Sequence, residues 1–293
     1  MEKRISGRTG LMALIGSPVG HSGSPAMYNF SFQHLGLDYA YMAFDIKVDQ
    51  VPAALDTIRL LKMRGCNVTM PCKNEVAKHV DELSPAARII GAVNTIVNDD
   101  GKLTGHITDG VGFVRSLQEE GVEVKDQKMV VLGAGGAGTA LQVQCALDGA
   151  REISIFNQND EFFARAQETK EKLEKEVPGC IVNVYALEDT EKLAEEIAAA
   201  DILVNSTSVG MKPNDGVSLV DKKLLRKDLI VADTVYNPQE TQMVLEAKEA
   251  GCAKAIGGAG MLLWQGAAAF KLYTGLEMPT DEYQQFQKEQ AAK

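Results

Sequence analysis

The sequence predicts an α/β fold made of two α/β domains with parallel sheets. Three observations point there. Apolar, β-branched or aromatic runs alternate with amphipathic stretches from end to end, and the chain of 293 residues is about twice the length of a typical single domain. The alternation then restarts after residues 121–127, on a strand followed by a glycine-rich turn.

In chain order, the first half reads strand 11–15, helix 25–35, strand 39–46, helix 51–63, strand 67–70 and helix 74–83. A hairpin follows. Its strands, 93–98 and 102–107, are separated by Asp99-Asp100-Gly101, a turn sequence with a residue type that accepts positive φ. A helix over 110–119 leads through Gly121 to Gln127, the candidate hinge. The second half reads strand 128–132, helix 139–147, strand 152–157 and a helix over 162–176 whose Glu168/Lys172 and Glu171/Lys175 pairs sit at the i,i+4 spacing of a solvated face. Strands 181–185, 201–206 and 229–234 continue the alternation until near Ala255, and residues 261–273 close as a helix long enough to return to the first domain. The expected division is residues 1–110 completed by 261–293, and residues 111–260.

Composition narrows the chemistry. The net charge is −10 with no Lys/Arg-rich tract, which disfavours nucleic acid and anionic membrane surfaces as partners. The longest charge-free apolar stretch, 256–270, is rich in Gly and Ala and too short to span a bilayer, and no secretory leader follows Arg8. The five cysteines form no C-x-x-C pair, so reduced thiols in the cytoplasm are expected. The four histidines have no ligand spacing, and no metal is expected. A cytoplasmic monomer or homodimer acting on small molecules fits these features.

Gly133-Ala134-Gly135-Gly136-Ala137-Gly138 fits G-x-G-x-x-G directly after the apolar strand Met129-Val130-Val131-Leu132. The first glycine permits a tight turn, the second lets backbone amides approach a pyrophosphate, and the third allows close helix packing. With a helix and a second strand at the required distance, this is a Rossmann-type dinucleotide site. The second strand ends in Asn157-Gln158-Asn159-Asp160, where the adenosine ribose would lie. Asp160 can accept from a free 2′-hydroxyl, and no arginine occurs before Arg165, so NAD is favoured over NADP. Asp160 is also well placed to cap the helix that begins at Glu161.

Two further segments suit a small acid. His21-Ser22-Gly23-Ser24-Pro25 lies between the first strand and first helix, where hydroxyls and helix-end amides can hold a carboxylate. Asn67-Val68-Thr69-Met70-Pro71-Cys72-Lys73 sets an amide, a hydroxyl and an ammonium at the C-terminal end of a strand, the usual ligand edge of such a sheet. Asn94 and Asp109 flank the hairpin.

In this order the segments H-S-x-S-P, N-V-T-x-P-x-K, G-A-V-N-T, T-D-G-x-G, the nucleotide glycines, N-S-T-x-x-G-M, V-Y-N-P and G-M-L-L-W-Q resemble the shikimate and quinate dehydrogenase family, and look most like its quinate/shikimate branch. The resemblance implies two α/β domains with the active site in the cleft between them. It implies that Ser22 and Ser24 hold the substrate carboxylate with help from Tyr236, that Thr69, Asn94 and Gln265 bind the ring hydroxyls, and that Asn67 also belongs to the substrate site. Thr207, Ser208, Val235 and Gly258 join the glycine turn, Asn157 and Asp160 at the cofactor. Lys73 and Asp109 resemble the catalytic pair for oxidising a secondary alcohol, one group taking the hydroxyl proton and the other orienting it; which moves the proton stays open. One position departs from the family, Ile107 standing where an asparagine is usual, and this bears on the preferred polyol. A non-catalytic sensor of the same polyol acid, or a related dehydrogenase for another small acid, is the alternative.

Overall fold

Strand β1 (Gly10–Gly16) sits inside a sheet because Met12 to Ile15 are apolar and buried on both faces. The structure, a computed structural model, describes residues 5–291, and the chain divides into two units, one of Met1–Thr108 and Gly266–Lys293, the other of Asp109–Gln265.

The first unit continues through α1 (Ser24–His34), β2 (Tyr39–Asp45), α2 (Val51–Leu60), β3 (Gly65–Val68), α3 (Lys73–His79), β4 (Glu82–Leu83), α4 (Pro85–Ile90), β5 (Thr95–Asp99) and β6 (Lys102–His106). Its six-stranded sheet has the order β2-β1-β3-β5-β6-β4. β1 runs parallel to β2 and β3, whereas β5 is antiparallel to β3 and β6, so the sheet is mixed. The β5–β6 hairpin turns through Asp100 and Gly101, with φ of 51° and 97°. The helix read over 74–83 stops at His79. Residues 82–83 pair with β6 instead, and Ser84 then accepts the Ala87 N–H at 3.4 Å and opens α4 with Pro85 in its first turn.

Two later helices complete the description of the chain, α10 (Ala259–Thr274) and α11 (Thr280–Ala291). From Gly266 onward they belong to the first unit. Phe270 and Tyr273 join Tyr28, Phe32 and Tyr41 in a buried aromatic cluster, and Tyr28 donates to the Gly266 carbonyl at 3.1 Å. A Cβ at 266 would lie 2.4 Å from Met27 Cε, so the Met27 side chain of α1 packs directly on this glycine. At the outer edge of β2, Asn29 donates to the Tyr41 carbonyl and accepts the Tyr41 N–H, both at 2.9 Å.

The second unit opens with α5 (Asp109–Glu119) and continues through β7 (Lys128–Leu132), α6 (Gly136–Leu147), β8 (Glu152–Asn157), α7 (Glu161–Glu176), β9 (Ile181–Ala186), α8 (Thr190–Ala199), β10 (Ile202–Asn205), β11 (Ile230–Asp233), α9 (Gln242–Ala250) and β12 (Lys254–Ile256). All six strands are parallel, in the order β12-β11-β10-β7-β8-β9. The order reverses between β7 and β10, and the crevice beyond their C-terminal ends is where such a sheet takes a ligand. Gly110 and Gly112 of the T-D-G-x-G segment serve packing: a Cβ at 110 would meet the Ala140 carbonyl of α6 at 2.4 Å, and one at 112 the Gln265 nitrogen at 2.5 Å. Under the opposite end of the sheet, Lys128 pairs with Glu152 at 3.0 Å and Glu196 at 2.8 Å, and Ser154 donates to Glu196 at 2.8 Å. No helix among the described residues is long and apolar enough to cross a membrane.

Candidate functional site

In the second unit, the turn after β7 is shaped by its glycines. Gly133 has a φ of +103°, and a Cβ there would lie 2.8 Å from Thr207 Cγ2. A Cβ at Gly138 would sit 2.5 Å from the Gly133 carbonyl and 2.7 Å from Ser206 Oγ. At Gly135 and Gly136 a Cβ would point into open space, so nothing of the protein stands between this backbone and an approaching ligand. No side chain caps α6, whose N-cap is Gly135, so its first-turn amides and dipole face the same opening.

Side chains from neighbouring elements brace the turn. Asn157, at the end of β8, accepts the Ala134 N–H at 2.9 Å. Gln142 of α6 donates to the Gly133 carbonyl at 2.9 Å, and Ser206 donates to the Leu132 carbonyl at 2.7 Å. A cavity of about 300 Å³ opens beside the turn; Gly133, Asn157, Gln158, Asp160, Thr207 and Ser208 are among the residues lining it, and none of its lining residues is Lys or Arg. Asp160 Oδ1 accepts both the Phe162 N–H, as the N-cap of α7, and Asn157 Nδ2 at 2.8 Å. A groove with open amides and no cation is a match for a dinucleotide pyrophosphate held by backbone. Val235 and Gly258 do not line this cavity; Gly258 donates to the Val235 carbonyl at 3.1 Å, and a Cβ there would collide with the Thr234 carbonyl at 2.3 Å. Gln142 and Ser206 were not legible as members of this site, because their bonds go to backbone carbonyls that only the folded turn brings near.

In the first unit, Ser22 and Ser24 are half-buried at the start of α1, and Ser22 Oγ accepts the Ser24 N–H at 3.2 Å. Thr69 follows β3, with its N–H on the Ile15 carbonyl at 2.9 Å, and Lys73 begins α3, its carbonyl accepting from Val93 at 3.0 Å. Asn94 is buried, with Oδ1 accepting the Thr108 N–H at 2.9 Å and Thr95 Oγ1 at 2.9 Å, while Nδ2 donates to Thr108 Oγ1 at 3.0 Å. Asn94 thus ties the entry of β5 to the residue preceding Asp109, the first residue of α5. Asn67 is buried too: it accepts from Tyr41 at 2.8 Å and donates to the Asn94 carbonyl and Thr95 Oγ1, each at 3.3 Å, so its amide is taken up inside the unit. Tyr236 is 53% exposed, and the Gln265 amide donates to the Leu262 carbonyl one turn back. Ile107, which follows β6 in the chain, is buried.

The chain matches two family models, the shikimate dehydrogenase substrate binding domain over residues 14–96 and the shikimate 5'-dehydrogenase C-terminal domain over residues 258–282. It is 50% identical to a shikimate dehydrogenase (NADP(+)) of Streptococcus uberis over 284 residues, 96% of each chain. It is 46% identical to a quinate/shikimate dehydrogenase of Escherichia coli over 282 residues, 96% of this chain and 97% of the other. Among solved structures it is similar to shikimate 5-dehydrogenase of Listeria monocytogenes in complex with shikimate and NAD, with a TM-score of 0.94 and 47% identity over 98% of this chain and 99% of that one. With about half of all positions shared along nearly the whole of both chains, the chain belongs to the shikimate dehydrogenase family.

Proposed function

We propose that the protein is a nicotinamide-dependent dehydrogenase that interconverts shikimate with its 3-dehydro ketone, with quinate as a second substrate to be tested. The observation that carries this is the 47% identity and TM-score of 0.94 to a relative crystallised with shikimate and NAD. The dinucleotide, when bound, supplies the nicotinamide ring that accepts the hydride. The residues of this chain supply the rest. Gly133 to Gly138 hold the pyrophosphate with backbone amides, and Asn157, Asp160, Thr207 and Ser208 hold the adenosine side. Ser22 and Ser24 hold the substrate carboxylate, Thr69, Asn94 and Gln265 the ring hydroxyls, and the exposed Tyr236 ring is available to the carboxylate. Lys73 and Asp109 move and orient the proton of the reacting hydroxyl. Asn67, with its amide engaged by Tyr41 and Thr95, acts by holding Asn94 and Thr95 in place.

For the cofactor, we infer a preference for NAD. The Streptococcus uberis and Listeria monocytogenes relatives are named for NADP(+), although a Listeria monocytogenes structure holds NAD, so the relatives' names lend this preference no support. The support comes from the cavity wall: Asp160 brings a carboxylate where a 2′-phosphate would sit, and no lining Lys or Arg offsets it. Initial rates with shikimate and with quinate, each with NAD and with NADP, test both statements on one preparation. No reduction of either dinucleotide with shikimate overturns the activity; a higher kcat/KM with NADP overturns the cofactor reading alone, and Asp160→Ala is expected to narrow the gap in favour of NADP.

A further inference from the structure

Asp233, the last residue of β11, is 2% exposed, and the mechanism above does not use it. Its Oδ1 accepts Asn205 Nδ2 at 3.0 Å and the Val235 N–H at 2.9 Å, and its Oδ2 accepts Thr241 Oγ1 at 2.6 Å. These donors are neutral, and burial pushes the carboxyl up from its ordinary range against their pull. A buried carboxylate without a cation is a costly way to fill space. What it offers is an acceptor-only group facing several donors, which neither an apolar residue nor an amide reproduces.

The consequence runs through Asn205, at the end of β10. Because Asp233 only accepts, the Asn205 amide must turn its NH₂ toward it, and its Oδ1 then faces the other way. There Oδ1 accepts the Thr207 N–H at 3.1 Å and Thr207 Oγ1 at 2.7 Å, while Nδ2 also reaches the Val209 carbonyl at 3.1 Å. Thr207 Oγ1 in turn accepts the Val209 N–H at 3.0 Å, closing the turn over residues 205–209. Ser206, Thr207, Ser208 and Val209 all line the cavity beside the glycine turn, and a Cβ at Gly133 would meet Thr207 Cγ2 first, at 2.8 Å.

We propose that Asp233 is a positioning residue for the dinucleotide: its carboxylate fixes the orientation of the Asn205 amide and thereby preforms the 206–209 wall of the cofactor cavity. This rests on the reading of that cavity as the dinucleotide site. The test is binding of NAD and NADP, followed by protein fluorescence, beside binding of shikimate alone by calorimetry, on the whole chain. Asp233→Asn sets an N–H against one of the donors and is expected to weaken the better-bound dinucleotide about tenfold, the worth of one good hydrogen bond, with the shikimate dissociation constant within twofold of wild type. Thr241→Val removes the donor to Oδ2 while keeping the branched shape and is expected to weaken the dinucleotide about threefold, with Thr241→Ser restoring it. If Asp233→Asn does not fold, the threonine pair decides. A residue that mattered only to stability would lower the melting temperature and leave the dissociation constant of the folded protein unchanged, so unchanged dinucleotide affinity in the folded variants overturns the proposal. An equal loss for shikimate and dinucleotide overturns it as well. A wild-type chain that binds neither NAD nor NADP overturns the dinucleotide reading and this inference with it.

Discussion

Asn157 accepts the backbone N–H of Ala134 at 2.9 Å, so the end of β8 holds the first turn of the glycine segment that follows β7. The same amide donates to Asp160 Oδ1 at 2.8 Å, linking the glycine turn to the cap of α7. Asn157→Ala is expected to raise the KM for the dinucleotide about tenfold, since it frees one buried N–H and unties Asp160. The KM for shikimate should stay within twofold. Steady-state kinetics with each substrate varied in turn would check this, and a rise confined to shikimate would contradict the assignment.

Lys73→Ala and Asp109→Ala are each expected to lower kcat by about a hundredfold or more, the usual worth of a positioned acid or base. Circular dichroism and dinucleotide binding should remain those of the wild type. Near-normal turnover in both variants would remove them from the proton path.

Ser22→Ala and Ser24→Ala should act mainly on the KM for shikimate, because a hydrogen bond to the carboxylate is made alike in ground and transition states. Ser22 has a second duty, as acceptor of the Ser24 N–H at 3.2 Å. Ser22→Ala is therefore expected to raise KM more than Ser24→Ala does. A fall in kcat at constant KM would speak against the carboxylate role.

The pH dependence of stability has a defined contributor in Glu196. Burial pushes its carboxyl up, but hydrogen bonds from Lys128, Lys192 and Ser154 outweigh that and hold it down at about 2, below the ordinary 4.5. A carboxylate depressed in the folded state stabilises above its unfolded value and loses that contribution as pH falls toward its folded one. Glu196→Gln is expected to cost about 2 kcal/mol at pH 7, with the difference from wild type shrinking between pH 4.5 and pH 2. Urea unfolding of both proteins across that range measures it, and a gap that widens on acidification would reverse the sign.

The glycine turn was legible because each requirement is local: Gly133 needs its positive φ, Gly138 must admit the Gly133 carbonyl, and both fall within six residues of one strand end. The hairpin turn at Asp100 and Gly101 was legible for the same reason. Other elements depend on partners distant in sequence. β4 exists because residues 82–83 meet β6, and α8 opens where Asp189 accepts the Lys192 N–H at 3.0 Å, a cap too brief to stand out between charged neighbours. Asn67 reads as a ligand-edge amide until Tyr41, 26 positions earlier, is seen to donate to it. Asp233 gave no signal at all, since a carboxylate ending a strand is unremarkable until Asn205 and Thr241 are folded around it.

Strand β2 is seven residues long, has no proline, and carries its single charge only at its last position, Asp45. An outermost strand of that kind is a template on which a neighbouring molecule can add a strand of its own and begin to aggregate. Asn29 occupies the outward N–H and carbonyl of Tyr41 in the middle of that strand, much as the backbone of an intruding chain would. The opposite border of the sheet is guarded by brevity, for β4 offers two residues. One asparagine side chain from α1 therefore withholds from an incoming strand the backbone pair it would need at Tyr41.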